Sequence, residues 1–155
     1  MMKALTVWQP WASLIAAGVK PYEFRPWTYP SYLHGQRIVI HAAKRKVQRE
    51  EIKELILRLE HDNGWGLELD TGAALALLHR WLPNLEQLPL SSGLCTARLA
   101  GCIDPLRLPS AIANPERARK EVCSAMRGWH LTEIEPLPML DPVKGAQGFW
   151  NWPTA

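Results

Sequence analysis

The chain has 155 residues, a length that suits one domain with a real hydrophobic core and needs no metal or disulfide staple. Hydrophobic residues make up 47% and charged residues 21%, which excludes wholesale disorder, and no apolar run approaches the roughly 20 residues of a membrane span. The net charge is only +3, so any basic surface arises from the placement of cations rather than from their excess.

In chain order, Met1-Met2-Lys3 and the apolar stretch to Ala17 superficially resemble a signal peptide, but Gln9, Pro10, Trp8 and Trp11 interrupt it and that reading is rejected. Leu5 to Val7 reads as a short strand. Pro10 suits the first turn of a helix from about Trp11 to Ala17, which Gly18 stops. Pro21 holds Lys20 out of helical geometry, and Tyr22-Glu23-Phe24-Arg25 alternates as a strand with Glu23 and Arg25 on one face. Residues 24–49 carry Arg25, Arg37, Lys44, Arg45, Lys46 and Arg49 with no acid, interleaved with Trp27, Tyr29 and Tyr32. Cations for phosphates and flat rings for bases are the chemistry of a nucleic-acid contact; a solvated charge run is the plainer alternative.

Gly35 precedes the strand Arg37 to His41, and Lys44 to His61 reads as an amphipathic helix burying Ile52, Leu55, Ile56 and Leu59. Thr71 is taken as the cap of a helix from about Ala73 to Leu82. Residues 60–95 hold five acids (Glu60, Asp62, Glu68, Asp70, Glu86) and one Arg, which assigns them to a different surface from the basic segment. Leu94 to Leu108 reads as a strand broken at Asp104-Pro105. Asn114-Pro115 opens a helix with Ala118, Val122, Ala125 and Met126 on its face, ended by Gly128. A last strand from Trp129 to Leu137 leads to a terminal loop, Lys144-Gly145-Ala146-Gln147-Gly148, before Phe149-Trp150.

Eight tryptophans stand against two phenylalanines. Trp8 is divided between core packing and base stacking, whereas Trp11, inside its helix, is assigned to the core. Cys95, Cys102 and Cys123 lack C-x-x-C spacing, so neither a disulfide framework nor a zinc site is indicated, and a reducing, cytoplasmic setting is the default expectation. The five histidines show no metal-ligand spacing, and no P-loop, Rossmann or G-x-S-x-G pattern is present; neither metal nor cofactor is expected.

Together, Gln9-Pro10-Trp11-Ala12, Ile15, Gly18-Val19-Lys20, Glu23-x-Arg25-x-Trp27, His41-Ala42-Ala43-Lys44 and Lys144-Gly145-x-Gln147-Gly148-x-Trp150 resemble the ASCH domain, with the blocks in order across nearly the whole chain. The resemblance implies an α+β fold, a small PUA-like β-barrel with several peripheral helices. It implies one domain over residues 1–155, with a helical insertion around 61–92. It also implies a cleft for RNA, single-stranded nucleic acid or a small modified nucleoside. The residues assigned to ligand binding are Trp8, Gln9, Arg25, Trp27, His41, Lys44, Lys46, Lys144 and Gln147, with a satisfied structural role the alternative for His41. An amidohydrolase on acetylated cytidine or a ribonuclease is the alternative function, with Lys20 and Glu23 as catalytic residues. The branch of the family that removes acetyl from cytidine has a lysine matching Lys20, but its threonine nucleophile falls where this chain has Glu23. Hydrolysis here would therefore use Glu23 as base for water and Lys20 or Arg25 to polarise the carbonyl. A basic scaffold for a protein partner is the third possibility.

Overall fold

The computed structural model describes residues 1–138 and 141–153. Six strands form one sheet: β1 (Lys3–Val7), β2 (Tyr22–Arg25), β3 (Arg37–Ala42), β4 (Ser92–Ile103), β5 (Arg127–Pro136) and β6 (Phe149–Asn151). Their order is β2-β5-β4-β3-β1-β6; β1 and β3 run parallel and every other pair is antiparallel. The sheet curls into a half-barrel. Its inner face carries Leu5, Val7, Ile38, Ile40, Ala97, Leu99, Trp129 and Leu131, every one of them buried, as strand alternation requires of a sheet with a single core face.

Aromatic side chains close the open side of the curl. Trp129 from β5 stacks on Phe149 from β6 at 5.5 Å with 11° between the rings, and Trp27 meets both edge-on. The buried Trp129 indole donates to the carbonyl of Trp27 at 3.0 Å. Arg25 adds a polar tie, its Nη2 donating to the Thr6 carbonyl at 2.9 Å.

The helices flank the sheet: α1 (Trp11–Ala16), α2 (Arg49–Asp62), α3 (Thr71–Trp81), α4 (Pro109–Ala113) and α5 (Pro115–Glu121). Between β3 and β4, α2 and α3 build a second apolar cluster from Ile52, Leu55, Ile56, Leu59, Ala74 and Leu78, which Leu14 joins to α1. No helix of the described residues is long and apolar enough to cross a membrane.

Four local expectations are corrected. Helix α2 starts at Arg49 rather than Lys44, because the Glu51 carboxylate accepts from the Gln48 backbone N–H at 2.6 Å and fixes the first turn there. The cap of α3 is Asp70, accepting from Ala73 N–H at 3.1 Å, while the Thr71 hydroxyl donates to Asn63. Helix α5 stops at Glu121, where Val122 turns extended; Val122 to Met126 form no helix, and β5 begins at Arg127, which pairs with β2, followed by Gly128, which pairs with both β2 and β4. The terminal loop ends in a strand, β6, and α4 precedes α5.

If the aromatic closure holds the curl, Trp129→Ala should destabilise the protein by about 3–5 kcal/mol. Trp129→Phe should cost roughly 1–3 kcal/mol by leaving the Trp27 carbonyl without its donor. Urea unfolding of the two variants measures both: a Trp129→Phe variant as stable as the parent would remove the indole hydrogen bond from the account, and equal losses in the two variants would remove the ring packing.

Candidate functional site

Parallel pairing of β1 and β3 aligns Thr6 with His41 and brings the two strand ends, Val7 and Ala42, side by side. The chain therefore leaves both strands at one rim, where Ala43 N–H donates to the Val7 carbonyl at 2.9 Å. Trp8 follows one strand and Lys44, Arg45 and Lys46 follow the other. Residues 142–147 cross the outer face of the sheet beside them, held by Val143 N–H on the Ser91 carbonyl at 2.7 Å. The space between them is a half-open cavity of about 520 Å³, lined by Thr6, His41, Lys44, Lys144, Gly145 and Gln147 among others.

His41 forms the floor. Its Nε2 lies 2.8 Å from the Val143 carbonyl and so carries the proton, leaving Nδ1 to accept from the Thr6 hydroxyl at 3.2 Å. That hydroxyl in turn accepts from the Trp150 indole at 3.1 Å. Burial lowers the pKa of His41, against the raising effect of its backbone hydrogen bonds, so the ring is neutral at pH 7. Gly145 explains one of the two glycines of its motif: a Cβ there would lie 2.6 Å from Thr6 Oγ1 and 2.7 Å from His41 Cε1. The floor is thus a satisfied hydrogen-bond chain. The rim is different: Lys44, Lys144 and Gln147 are exposed, and neither lysine has an ion-pair partner among the described residues.

Trp8 is 58% exposed and not a core residue, with the Arg45 guanidinium 4.4 Å over its ring. Arg45 is held there by Glu51, at 2.6 Å. The result is a flat ring-and-guanidinium surface, its charge balanced by Glu51, one residue along the chain from Lys44. Gln9 does not join it. Its side chain is 2% exposed and both ends of the amide are used, Nε2 on the Pro89 carbonyl and Oε1 on Ser13 N–H, so it ties the Trp8 turn to α1 and to the Pro89 segment.

Lys20, Glu23 and Arg25 converge with one another but not with this cavity. Glu23 lies opposite Trp129 in the sheet and so faces the inside of the curl, whereas His41 lies on the outer face. Arg25 Nε donates to Glu23 at 2.9 Å. The Lys20 ammonium donates to the Tyr22 carbonyl, and stands 4.8 Å from the centre of the Phe24 ring and 5.5 Å from that of Trp11. Burial brings the Lys20 pKa down to about 8, with Glu23 opposing the shift. Trp27 belongs to the closure of the curl. Lys46 is exposed on the far side of the rim from Lys44, against Val47 and Leu88. Of the six cations in residues 24–49, Arg25, Arg37 and Arg45 are neutralised internally, Arg37 by Glu133 and Glu135 on the outer face of the sheet, and Lys44, Lys46 and Arg49 are not. Sequence reasoning did not find Thr6, Ser91 or Val143; a threonine inside the apolar run Ala4-Leu5-Thr6-Val7 is the one local signal among them.

The ASCH domain family model matches residues 5–105, and the chain belongs to that family. The structure is similar to a crystal structure of ASCH from Zymomonas mobilis, with 15% sequence identity, 90% of this chain and 72% of that one covered, and a TM-score of 0.46. Two mutant forms of the same protein match at 16% identity and a TM-score of 0.46, each over 90% of this chain and over 74% and 72% of theirs. No curated protein matches the sequence.

The buried Lys20 yields a pH test. Its native pKa is about 8 against an ordinary 10.5, so between those values the unfolded chain binds more protons and stability rises with pH; below pH 8 the full cost, roughly 3 kcal/mol, is present. Lys20→Met should lack that rise and melt no lower than the parent at pH 7. Thermal unfolding of both proteins at pH 7 and 9.5 decides it: a parent and variant with parallel pH profiles would show that Lys20 keeps its ordinary affinity for protons.

Proposed function

We infer that the protein binds single-stranded nucleic acid, RNA in the first instance, with one base or nucleoside in the half-open cavity lined by His41, Lys44, Lys144 and Gln147. The observation that carries this reading is the convergence, at the adjacent ends of two parallel strands, of a half-open cavity with a neutral polar floor, two lysines without ion-pair partners among the described residues and an exposed Trp8–Arg45 stack. Unpaired lysines serve phosphates by releasing counterions, and the flat surface serves a neighbouring base. Membership of the ASCH family, which is associated with nucleic-acid binding, points the same way.

Binding is favoured over hydrolysis by the state of Lys20 and Glu23. Their polar atoms are engaged with the Tyr22 carbonyl and Arg25, on the face of the sheet away from the cavity, so neither is poised over a bound carbonyl or phosphodiester. Glu23 also replaces the threonine that an acyl-enzyme route needs.

The test is the salt dependence of affinity for a short single-stranded RNA. Affinity should fall steeply with salt, and Lys44→Ala and Lys144→Ala should each flatten the log–log slope by about 0.7, while Lys3→Ala, at the opposite end of β1, leaves it unchanged. Gly145→Ala should weaken binding sharply without lowering the charge, because the added Cβ would clash with Thr6 and His41 and push the 142–147 segment off the floor. Parallel incubation with acetylated cytidine should release no cytidine. Binding that is absent at low salt, or turnover in that assay, would overturn the reading.

A further inference from the structure

A second cavity, of about 460 Å³, lies on the other side of the same rim. Val47 and Leu88, both buried, form its floor, and Leu85 and Leu90 its walls. Lys46 and Arg49 stand at its edge without an ion-pair partner among the described residues; Glu86 is the one carboxylate in the lining.

The two cavities adjoin through both of their walls. Lys44 and Ser91 line the first, Lys46 and Leu90 the second, and Ser91 N–H meets the Ala43 carbonyl at 3.4 Å between them. Lys44 and Lys46 are two residues apart, so their Cα atoms are separated by at most about 7 Å. Arg45, between them, is turned away onto Trp8. A chain leaving the first cavity therefore passes two free ammonium groups before it meets the second, a separation that one sugar–phosphate unit bridges.

Resting on the function proposed above, we propose that the Lys46–Leu88 cavity is a second nucleotide subsite, so that the ligand is an oligonucleotide of at least two residues rather than a free nucleoside. The first base occupies the Thr6–His41 cavity, the linking phosphate lies against Lys44 and Lys46, and the second base packs on Val47 and Leu88 with Arg49 beside its own phosphate. An apolar floor with cations only along one edge fits a flat base attached to an anion better than it fits a peptide, whose buried backbone donors and acceptors would find no polar partners on that floor.

Three probes measured on the intact protein test this: a ribonucleoside 5′-monophosphate, a 5′-phosphorylated diribonucleotide, and that dinucleotide with one base removed. The dinucleotide should bind roughly tenfold or more tightly than the mononucleotide, and removal of one base should abolish most of that gain, because burial of the second base rather than its charge supplies it. Arg49→Ala should weaken the dinucleotide about threefold and leave mononucleotide affinity unchanged, because Arg49 meets only the phosphate of the second residue. An abasic dinucleotide that binds as well as the intact one, a dinucleotide affinity that Arg49→Ala leaves untouched, or an Arg49→Ala variant that weakens the mononucleotide equally would each overturn the second subsite while leaving the first intact. Failure of all three probes to bind would overturn the function itself, and the subsite with it.

Discussion

The parallel pairing of β1 with β3 is the constraint from which the candidate site follows. In an antiparallel half-barrel of this kind the ends of neighbouring strands alternate between the two rims; here one parallel pair delivers two loop starts, Trp8 and Ala43, to the same place. The register is set by packing rather than by a turn. Leu5 and Val7 on β1 and Ile38, Ile40 and Ala42 on β3 all belong to the inner core, and a slip of one residue would drive Thr6 and His41 into it while exposing the aliphatic set. Burial of five apolar side chains thus places a threonine hydroxyl beside an imidazole on the opposite face. The hydrogen-bond chain from Trp150 through Thr6 to His41 and Val143 follows from that register.

Electrostatics then separates the cations of the basic stretch into two kinds. Arg37, on the outer face, is fixed against Glu133 and Glu135, and Arg25, on the inner face, against Glu23. Both act as ties between elements. The exposed Arg37 pairs contribute little to stability, roughly 0–1 kcal/mol, but both sets of pairs remove positive charge from the field that an incoming polyanion meets. What remains is concentrated at Lys44 and Lys46, in the loop that leads from the parallel pair into α2, and at Arg49, the first residue of α2, with Lys144 across the cavity from Lys44. The modest net charge of the chain is therefore compatible with a strongly directional surface.

Much of this was legible in the sequence, and the parts that were not have physical reasons. Alternation identified individual strands and put Glu23 and Arg25 on one face, without saying which strands pair; the family pattern placed the His41–Lys44 and Lys144–Gln147 blocks near one cleft. Alternation alone does not say whether a face turns inward, and that is settled by what lies opposite: Trp129, seventy percent of the chain further on in β5, is what makes the Glu23 face internal. The single cleft expected from the motifs therefore divides into two clusters on opposite faces. Trp8 was ambiguous for a related reason, since exposure of a tryptophan depends on Arg45 and Glu51 supplying a stack that no local pattern announces. The start of α2 was present in the sequence as Gln48 and Glu51, but the cationic run before it is equally compatible with helix.

The two clusters are separate but not independent, because Thr6 is grasped from both faces of the sheet. Its carbonyl accepts from Arg25, which the buried Glu23 orients, and its hydroxyl lies between Trp150 and His41 in the outer cavity. Rotation of the Thr6 peptide would be opposed from inside by an arginine whose guanidinium is held at two points, so the direction in which the hydroxyl points is set partly by residues that never reach the ligand. Glu23 and Arg25 are positioning residues in this sense. Their presence beside Lys20 in a recurring block is explained by the geometry of β1 as well as by any chemistry at the lysine, and the same arginine that closes the half-barrel also fixes the floor of the cavity on its outer face.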